Sequence, residues 1–254
     1  MKTYLAFTKK ELLEYTRTYK LFLMVIIFLG FGFMNPVTAK YTPELIAGFM
    51  PEGMSVEIAE PTILDSWSQF FSNIPQLGLI IMVIVFSGLM ANEFSKGTLV
   101  NILTKGMRRE AVILAKFTSA SLIWTVSYLV SFVVTLLYSK LFWSDTGVAN
   151  LAMAVGCVWL FGILLLSSLL LGGILFRSSY GSLLFVGVLV VVMFVLNVLQ
   201  TIAEYVPIRL VSVNMELLRG SIGASEVYAA VGITIGLTVV FIVISMVVFN
   251  RKRL

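Results

Sequence analysis

Six stretches of this chain carry no charged residue: 21–39, 66–92, 117–139, 146–176, 178–203 and 227–250. Each is long enough to cross about 30 Å of hydrocarbon as a helix, which takes roughly 17–25 residues. Strands of a membrane barrel would be about 10 residues long with alternating polarity. Runs such as "LLLSSLLLGGILF" and "SLLFVGVLVVVMFVLNVL" are instead apolar on every face. With 59% of 254 residues apolar and 12% charged, too few polar groups remain to cover a soluble core. The pattern predicts an all-α integral membrane protein, with six transmembrane helices near 21–39, 70–91, 117–139, 151–176, 182–203 and 227–250 in a single domain over 21–254.

Basic residues near span ends stay on the cytoplasmic side. With the N-terminus inside, fourteen of the eighteen Lys and Arg fall in inner segments, and nine of the thirteen acids fall in outer ones. Both termini are therefore predicted to be cytoplasmic. The net charge of +5 is then a topology signal, reinforced by attraction to anionic membrane lipid, and calls for no nucleic-acid partner.

The first twenty residues, "MKTYLAFTKKELLEYTRTYK", put too long a polar stretch ahead of the apolar run for a secretory signal, and predict a retained amphipathic helix at the inner interface. At about 100° per residue, Tyr4, Leu5, Thr8, Leu12, Tyr15 and Tyr19 share one side, with Lys10, Glu11, Glu14 and Arg17 on the other. The first outer loop, 40–69, lies in a segment with Pro36, Pro43, Pro51 and Pro61, which rules out one continuous helix there. At its end Ile63, Trp67, Phe70, Phe71 and Ile74 have the spacing of a short helix with an apolar face. A second outer loop is expected over 140–150. The third, 204–226, is apolar enough for a re-entrant or surface-lying helical element.

The chain contains no histidine and no "GxxxxGK[ST]" phosphate loop, and its single Cys157 has no disulfide partner. A serine–histidine protease, a thiolate–imidazole metal site and ATP hydrolysis by that loop are excluded, so the chain is not expected to be an enzyme. The polar residues deep in the spans are uncharged: Ser127, Ser131, Thr135, Ser167, Ser168, Asn197 and Gln200. The hydroxyls are expected to bond between helices. Asn197 and Gln200, three apart and therefore on one helix face, either bond a neighbouring helix or line a pathway. "GITIG" at 232–236 fits close helix packing, within the subunit or in a dimer.

The inner loop 92–116 lies within "ANEFSKGTLVNILTKGMRREAVILAKF". Between Gly97 and Gly106, Thr98 is a plausible cap for two helical turns that carry Leu99, Ile102 and Leu103 on one side. An apolar face on a short cytoplasmic helix calls for a partner protein or the membrane.

The segment "EFSKGTLVNILTKGMRR", followed by Lys116, resembles the loop between the second and third spans of bacterial type-2 permeases of ATP-binding-cassette exporters. The "KKEL" element at Lys9–Leu12, the six spans, the elaborated loop before the last span and the basic tail "NRKRL" are similar too. The resemblance implies a plasma-membrane permease that pairs with a second permease subunit and with a separate cytoplasmic ATPase subunit, which holds the ATP and Mg; this chain itself binds no cofactor. It also implies that Thr98, Leu99, Ile102 and Leu103 form the coupling helix, flanked by Glu93, Arg108 and Arg109. The long, proline-rich first outer loop departs from simple members. An apolar pathway with only amides and hydroxyls suits an amphipathic cargo such as an antimicrobial peptide, a drug or a lipid. The alternative is a non-transporting scaffold or regulatory subunit that binds a cytoplasmic partner.

The topology is tested with single cysteines in a Cys157→Ser background. An impermeant thiol reagent applied to intact cells is expected to label positions 53 and 220 and to spare 105 and 252. Labelling at 105 in unbroken cells overturns the assignment.

Overall fold

The computed structural model describes residues 2–48, 60–95, 97, 104, 106–143 and 147–252. These form α1 (Lys2–Arg17), α2 (Lys20–Gly48), α3 (Ile63–Ser95), α4 (Arg109–Phe142), α5 (Leu151–Phe176), α6 (Ser179–Val198), the short α7 (Arg209–Ser212) and α8 (Asn214–Arg219), and α9 (Tyr228–Arg251). Among the described residues there is no strand, and α2, α3, α4, α5, α6 and α9 are long and apolar enough to cross a membrane. The architecture is an all-α, six-span membrane fold.

Helix α5 is the axis of the bundle. It is apolar on every side and is wrapped on every side, with most of its residues buried beneath α3, α4, α6 and α9. Its tightest contact is with α4. A Cβ at Gly162 would lie 2.5 Å from Trp124, so only glycine lets the indole lie against the α5 backbone. Trp124 Nε1 donates to the Trp159 carbonyl (3.1 Å), Tyr128 Oη donates to the Val155 carbonyl (2.9 Å), and Trp159 Nε1 returns a bond to Thr125 Oγ1 (2.9 Å). Aromatic side chains bring large apolar area together with one polar handle, and here each handle is satisfied by the facing helix.

Helix α2 runs on past its predicted end at 39, through Pro36 and Pro43, to Gly48. Proline has no N–H to give the carbonyl four residues back, and so leaves the Gly32 carbonyl without its helical donor. Thr135 of α4 supplies the replacement, with Oγ1 donating to the Gly32 oxygen at 3.2 Å. The helices come close enough for this because residue 32 has no side chain: a Cβ there would lie 2.8 Å from Val134 Cβ. Around this point Asn73 donates to Asn35 (2.8 Å), and Asn35 sits within 3.4 Å of Thr135. A buried polar patch thus joins α2, α3 and α4.

Helix α3 also begins earlier than predicted, at Ile63. Asp65 accepts from the Thr62 N–H (2.7 Å) and hydroxyl (2.8 Å), which closes the helix start. Ile63, Trp67, Phe70, Phe71 and Ile74 are buried, as their spacing predicts, in a cluster of rings that includes Tyr128 and Phe132 of α4. The helix widens into a π-turn at Ile74–Gly78, where Pro75 falls, resumes over Leu79–Phe86, and turns at 87–90 before Ala91–Ser95. The apolar 204–226 segment folds as short helical turns. Leu210, Leu217 and Leu218 are buried there, and the segment caps one end of α5. That end is termed distal; the end carrying α1, Glu93, Arg109 and Lys252 is termed basal.

The other hydroxyls depart from the expectation of interhelical bonds. Ser167 and Ser168 bond back to carbonyls of their own helix, and Ser127 and Ser131 have no partner among the described residues. Ser182 does reach across, from α6 to the Leu169 carbonyl (2.8 Å).

Replacing Thr135 with Val strands the Gly32 carbonyl, and is expected to cost about 1–3 kcal/mol of stability in detergent unfolding. In a Pro36→Ala background the restored N–H takes over, and the same substitution is expected to cost less than half as much. Equal costs in the two backgrounds would remove Thr135 from this role.

Candidate functional site

Three helices meet at the basal end around one lysine. Lys116 is the single charge between Glu110 and Lys140, and α4 carries it inside the protein. Its ammonium lies 2.9 Å from Glu11 Oε2 of α1 and 2.9 Å from Glu93 Oε1 at the end of α3. All three side chains are more than nine-tenths buried. Removing Lys116 from such a group would leave buried carboxylate charge uncompensated, at a cost of about 3–5 kcal/mol.

The network continues onto the surface of α1. Lys10 Nζ lies 3.0 Å from Glu11 Oε1 and 2.6 Å from Glu14 Oε2. Partial burial works against the Lys10 ammonium, but the hydrogen bonds to Glu14 and Glu11 outweigh it and raise its pKa above the usual lysine value. Tyr15 is buried beside the cluster. Its burial first, then the carboxylates of Glu11, Glu14 and Glu93, push the phenol well above its ordinary pKa. The Glu11, Glu14 and Glu93 oxygens lie within 4.8 Å of one another, close enough to hold a metal ion. The ammonium groups of Lys10 and Lys116 already lie among them, so the arrangement reads as an ion network.

This corrects one face of α1. The predicted polar side included Glu11, which the structure buries with Phe7, Thr8 and Tyr15, while Leu5, Leu13 and Tyr19 are exposed. Tyr4 Oη lies 2.8 Å from Thr118 Oγ1 and extends the contact along α4. Glu11 shares its helix face with Phe7 and Tyr15, at i−4 and i+4. That spacing was the available signal of its burial.

A second tie gathers the basal ends of α4, α5 and α9. The Arg109 guanidinium donates to the carbonyls of Phe249 (2.6 Å), Lys252 (2.7 Å) and Asn250 (3.1 Å). Lys252 Nζ in turn donates to the Ile174 and Leu175 carbonyls at the end of α5. Each cation thus donates to carbonyls at the C-terminal end of another helix, where the backbone supplies few donors and the dipole favours positive charge. Desolvation, and then the neighbouring Arg177, lower the Lys252 pKa. Phe94 stands edge-on to Phe249 (6.0 Å) beneath Arg177 and Lys252.

Of the residues singled out in the sequence, Glu93 and Arg109 are thus engaged within the chain, one at each stem of the inner loop. Arg108 is exposed. Thr98, Leu99, Ile102 and Leu103 lie outside the described residues. Asn197 is half-buried in the last turn of α6; Gln200 lies beyond the helix end and is exposed, so the two do not continue one helix face.

The sequence matches the profile described as ABC-2 family transporter protein over residues 17–192. Over 180 residues it is 27% identical to the uncharacterized transmembrane protein YxlG of Bacillus subtilis strain 168, a match covering 70% of each chain.

The different fates of the adjacent arginines give a test. Arg109→Gln is expected to raise the amide exchange of residues 249–252 at least tenfold, by removing the donor to three carbonyls, whereas Arg108→Gln leaves that exchange unchanged. An unaltered α9 terminus in Arg109→Gln would show that the tie contributes nothing.

Proposed function

Because the chain belongs to the ABC-2 family of transporter proteins, we propose that it is the membrane-spanning permease subunit of an ATP-driven exporter. In this reading it pairs with a second permease subunit, and cytoplasmic ATPase subunits supply the ATP and Mg. The family match carries the reading, since it covers the whole inner loop, four of the six spans and most of a fifth. The basal end faces the cytoplasm of a bacterial cell. Thr98, Leu99, Ile102 and Leu103 are the surface offered to the ATPase, with Arg108 beside them. Glu93 and Arg109 hold the loop's stems in place, so that a push on the tip reaches α3 and α4.

The proposed cargo is amphipathic or lipophilic: an antimicrobial peptide, a drug or a lipid. A cleft of about 300 Å³ between α3 and α6 supports this class. Its walls are apolar, with Pro75, Leu79, Val83, Phe161, Leu183 and Val190 among them, and it opens beside the exposed Ile80 and Ile84. A hydrated ion or sugar would find no ligands there. Asn197 is the proposed polar contact, with Gln200 at the helix exit.

The test is the ATPase activity of the reconstituted complex against a panel of amphipaths, metal ions and sugars. Burying an aliphatic side chain contributes about 1.5–3 kcal/mol, so Ile102→Asp is expected to weaken ATPase docking at least about tenfold with the spans still folded. Amphipaths are expected to stimulate the wild type, and less so Asn197→Leu. Unchanged docking in Ile102→Asp would sink the coupling assignment, and stimulation by ions or sugars alone would refute the cargo class.

A further inference from the structure

Helix α1 is held to the bundle by an ion network with an unusual distribution of partners. Glu11 has two: Oε1 is bonded to Lys10 of its own helix, and Oε2 to Lys116 of α4. Lys116 also has two, Glu11 and Glu93. Separating Glu11 from Lys116 therefore leaves no ion without a counter-ion. Lys10, Glu11 and Glu14 stay together on α1, and Lys116 and Glu93 stay together on the bundle. Parting Lys116 from Glu93 pulls the two stems of the inner loop away from each other. The network thus has one joint that opens at little electrostatic cost, and it lies between α1 and the rest.

Two further features fit a movable α1. The turn into α2 passes through Tyr19 at φ 60°, a left-handed conformation that a bulky side chain rarely adopts, so a local pivot sits between the helices. And α1 carries apolar groups on two faces. Phe7 and Tyr15 pack inward, Tyr15 edge-on to Phe86 at 5.7 Å, while Leu5 and Leu13 point away from the bundle beside Lys9 and Arg17. A helix with that pattern has a second resting place at a headgroup surface, where aromatic and aliphatic groups sink in and lysines meet anionic lipid.

We propose that α1 is a hinged element with two positions: docked on α4 through the Glu11–Lys116 pair, or turned about Tyr19 onto the membrane surface. The inner loop sets the balance between them through Glu93, which competes with Glu11 for the same ammonium. The two-position behaviour is a property of the chain alone; its use in transport rests on the permease reading above.

The experiment measures the distance between spin labels at two exposed positions, Lys9→Cys on α1 and Glu110→Cys on α4, in full-length Cys157→Ser protein in nanodiscs containing anionic lipid and lacking any ATPase. One short distance is expected. Glu11→Gln weakens the joint and is expected to raise the ratio of a second, longer distance to the first at least about tenfold. Glu93→Gln removes the competitor and is expected to keep the single short distance. No second distance in Glu11→Gln overturns the proposal, as does the same distribution in Glu11→Gln and Glu93→Gln. In the assembled complex, trapping the ATPase with ATP and vanadate is expected to change the wild-type ratio. An unchanged ratio in a complex that hydrolyses ATP overturns the transport role. Failure of any ATPase subunit to bind sinks the permease reading and leaves the hinge to be decided by the first measurement.

Discussion

Backbone carbonyls that these helices leave without an intrahelical donor are costly away from water, because hydrocarbon offers neither donors nor acceptors. Much of what holds the bundle together follows from that condition. Pro36 takes a donor from the Gly32 carbonyl, and Thr135 returns one from the neighbouring helix. The last carbonyls of α9 and α5 have no turn beyond them, and Arg109 and Lys252 supply donors across the helix packing. In each case the satisfied group belongs to one span and the satisfier to another. Repairing the backbone therefore also fixes which helices are neighbours, a more specific instruction than apolar packing, which lipid tails offer equally well.

The basal ion network obeys the same condition at higher stakes. A lone buried ammonium would lose its charge or draw in water. Lys116 instead recruits a carboxylate from each of two helices, and one of these, Glu93, closes the inner loop at its base. A well-packed apolar substitute for such a group would often be as stable, so stability alone does not account for charges here. What they add is selectivity of partner: an ammonium between two acids specifies that α1, α3 and α4 meet at this depth and rotation. It also leaves the contact with α1 separable, because Lys10 stays with Glu11.

Charge-free runs are a one-dimensional signal, and the six spans, the buried Ile63–Ile74 face and the helical 204–226 segment could all be read from local spacing. The features that failed to show depend on partners remote in sequence. The continuation of α2 past residue 39 did not show because the hydroxyl that compensates Pro36 lies 103 residues beyond Gly32. Glu11 looked like a surface acid because the ammonium that makes its burial tolerable lies 105 residues further on. Glu93 and Arg109 were recognised as important on the strength of a resemblance, but as contacts for a partner; their intramolecular ligands are backbone carbonyls and a lysine that no spacing rule points to. For Asn197 and Gln200 the spacing was right for a helix and the helix was too short: α6 stops at Val198.

Helix α3 links the two regions that the proposed function needs. Its segment Leu79–Phe86 forms one wall of the apolar cleft, and its last turn carries Glu93 into the ion network. That segment lies between two departures from α-helical geometry, the π-turn at Ile74–Gly78 and the turn at 87–90. Helix irregularities of this kind are where rotation is least costly, since the regular hydrogen-bond ladder is already interrupted. The opposing wall, α6, is mostly exposed along its length, while α5 behind both is packed on every side. The bundle thus combines a fixed axis, a wall with helix defects at both ends, and a second wall with few protein neighbours. Displacement applied at Glu93 meets least resistance along α3 toward the cleft, because moving α5 would disturb Gly162, Trp124 and the hydrogen bonds between α4 and α5 all at once.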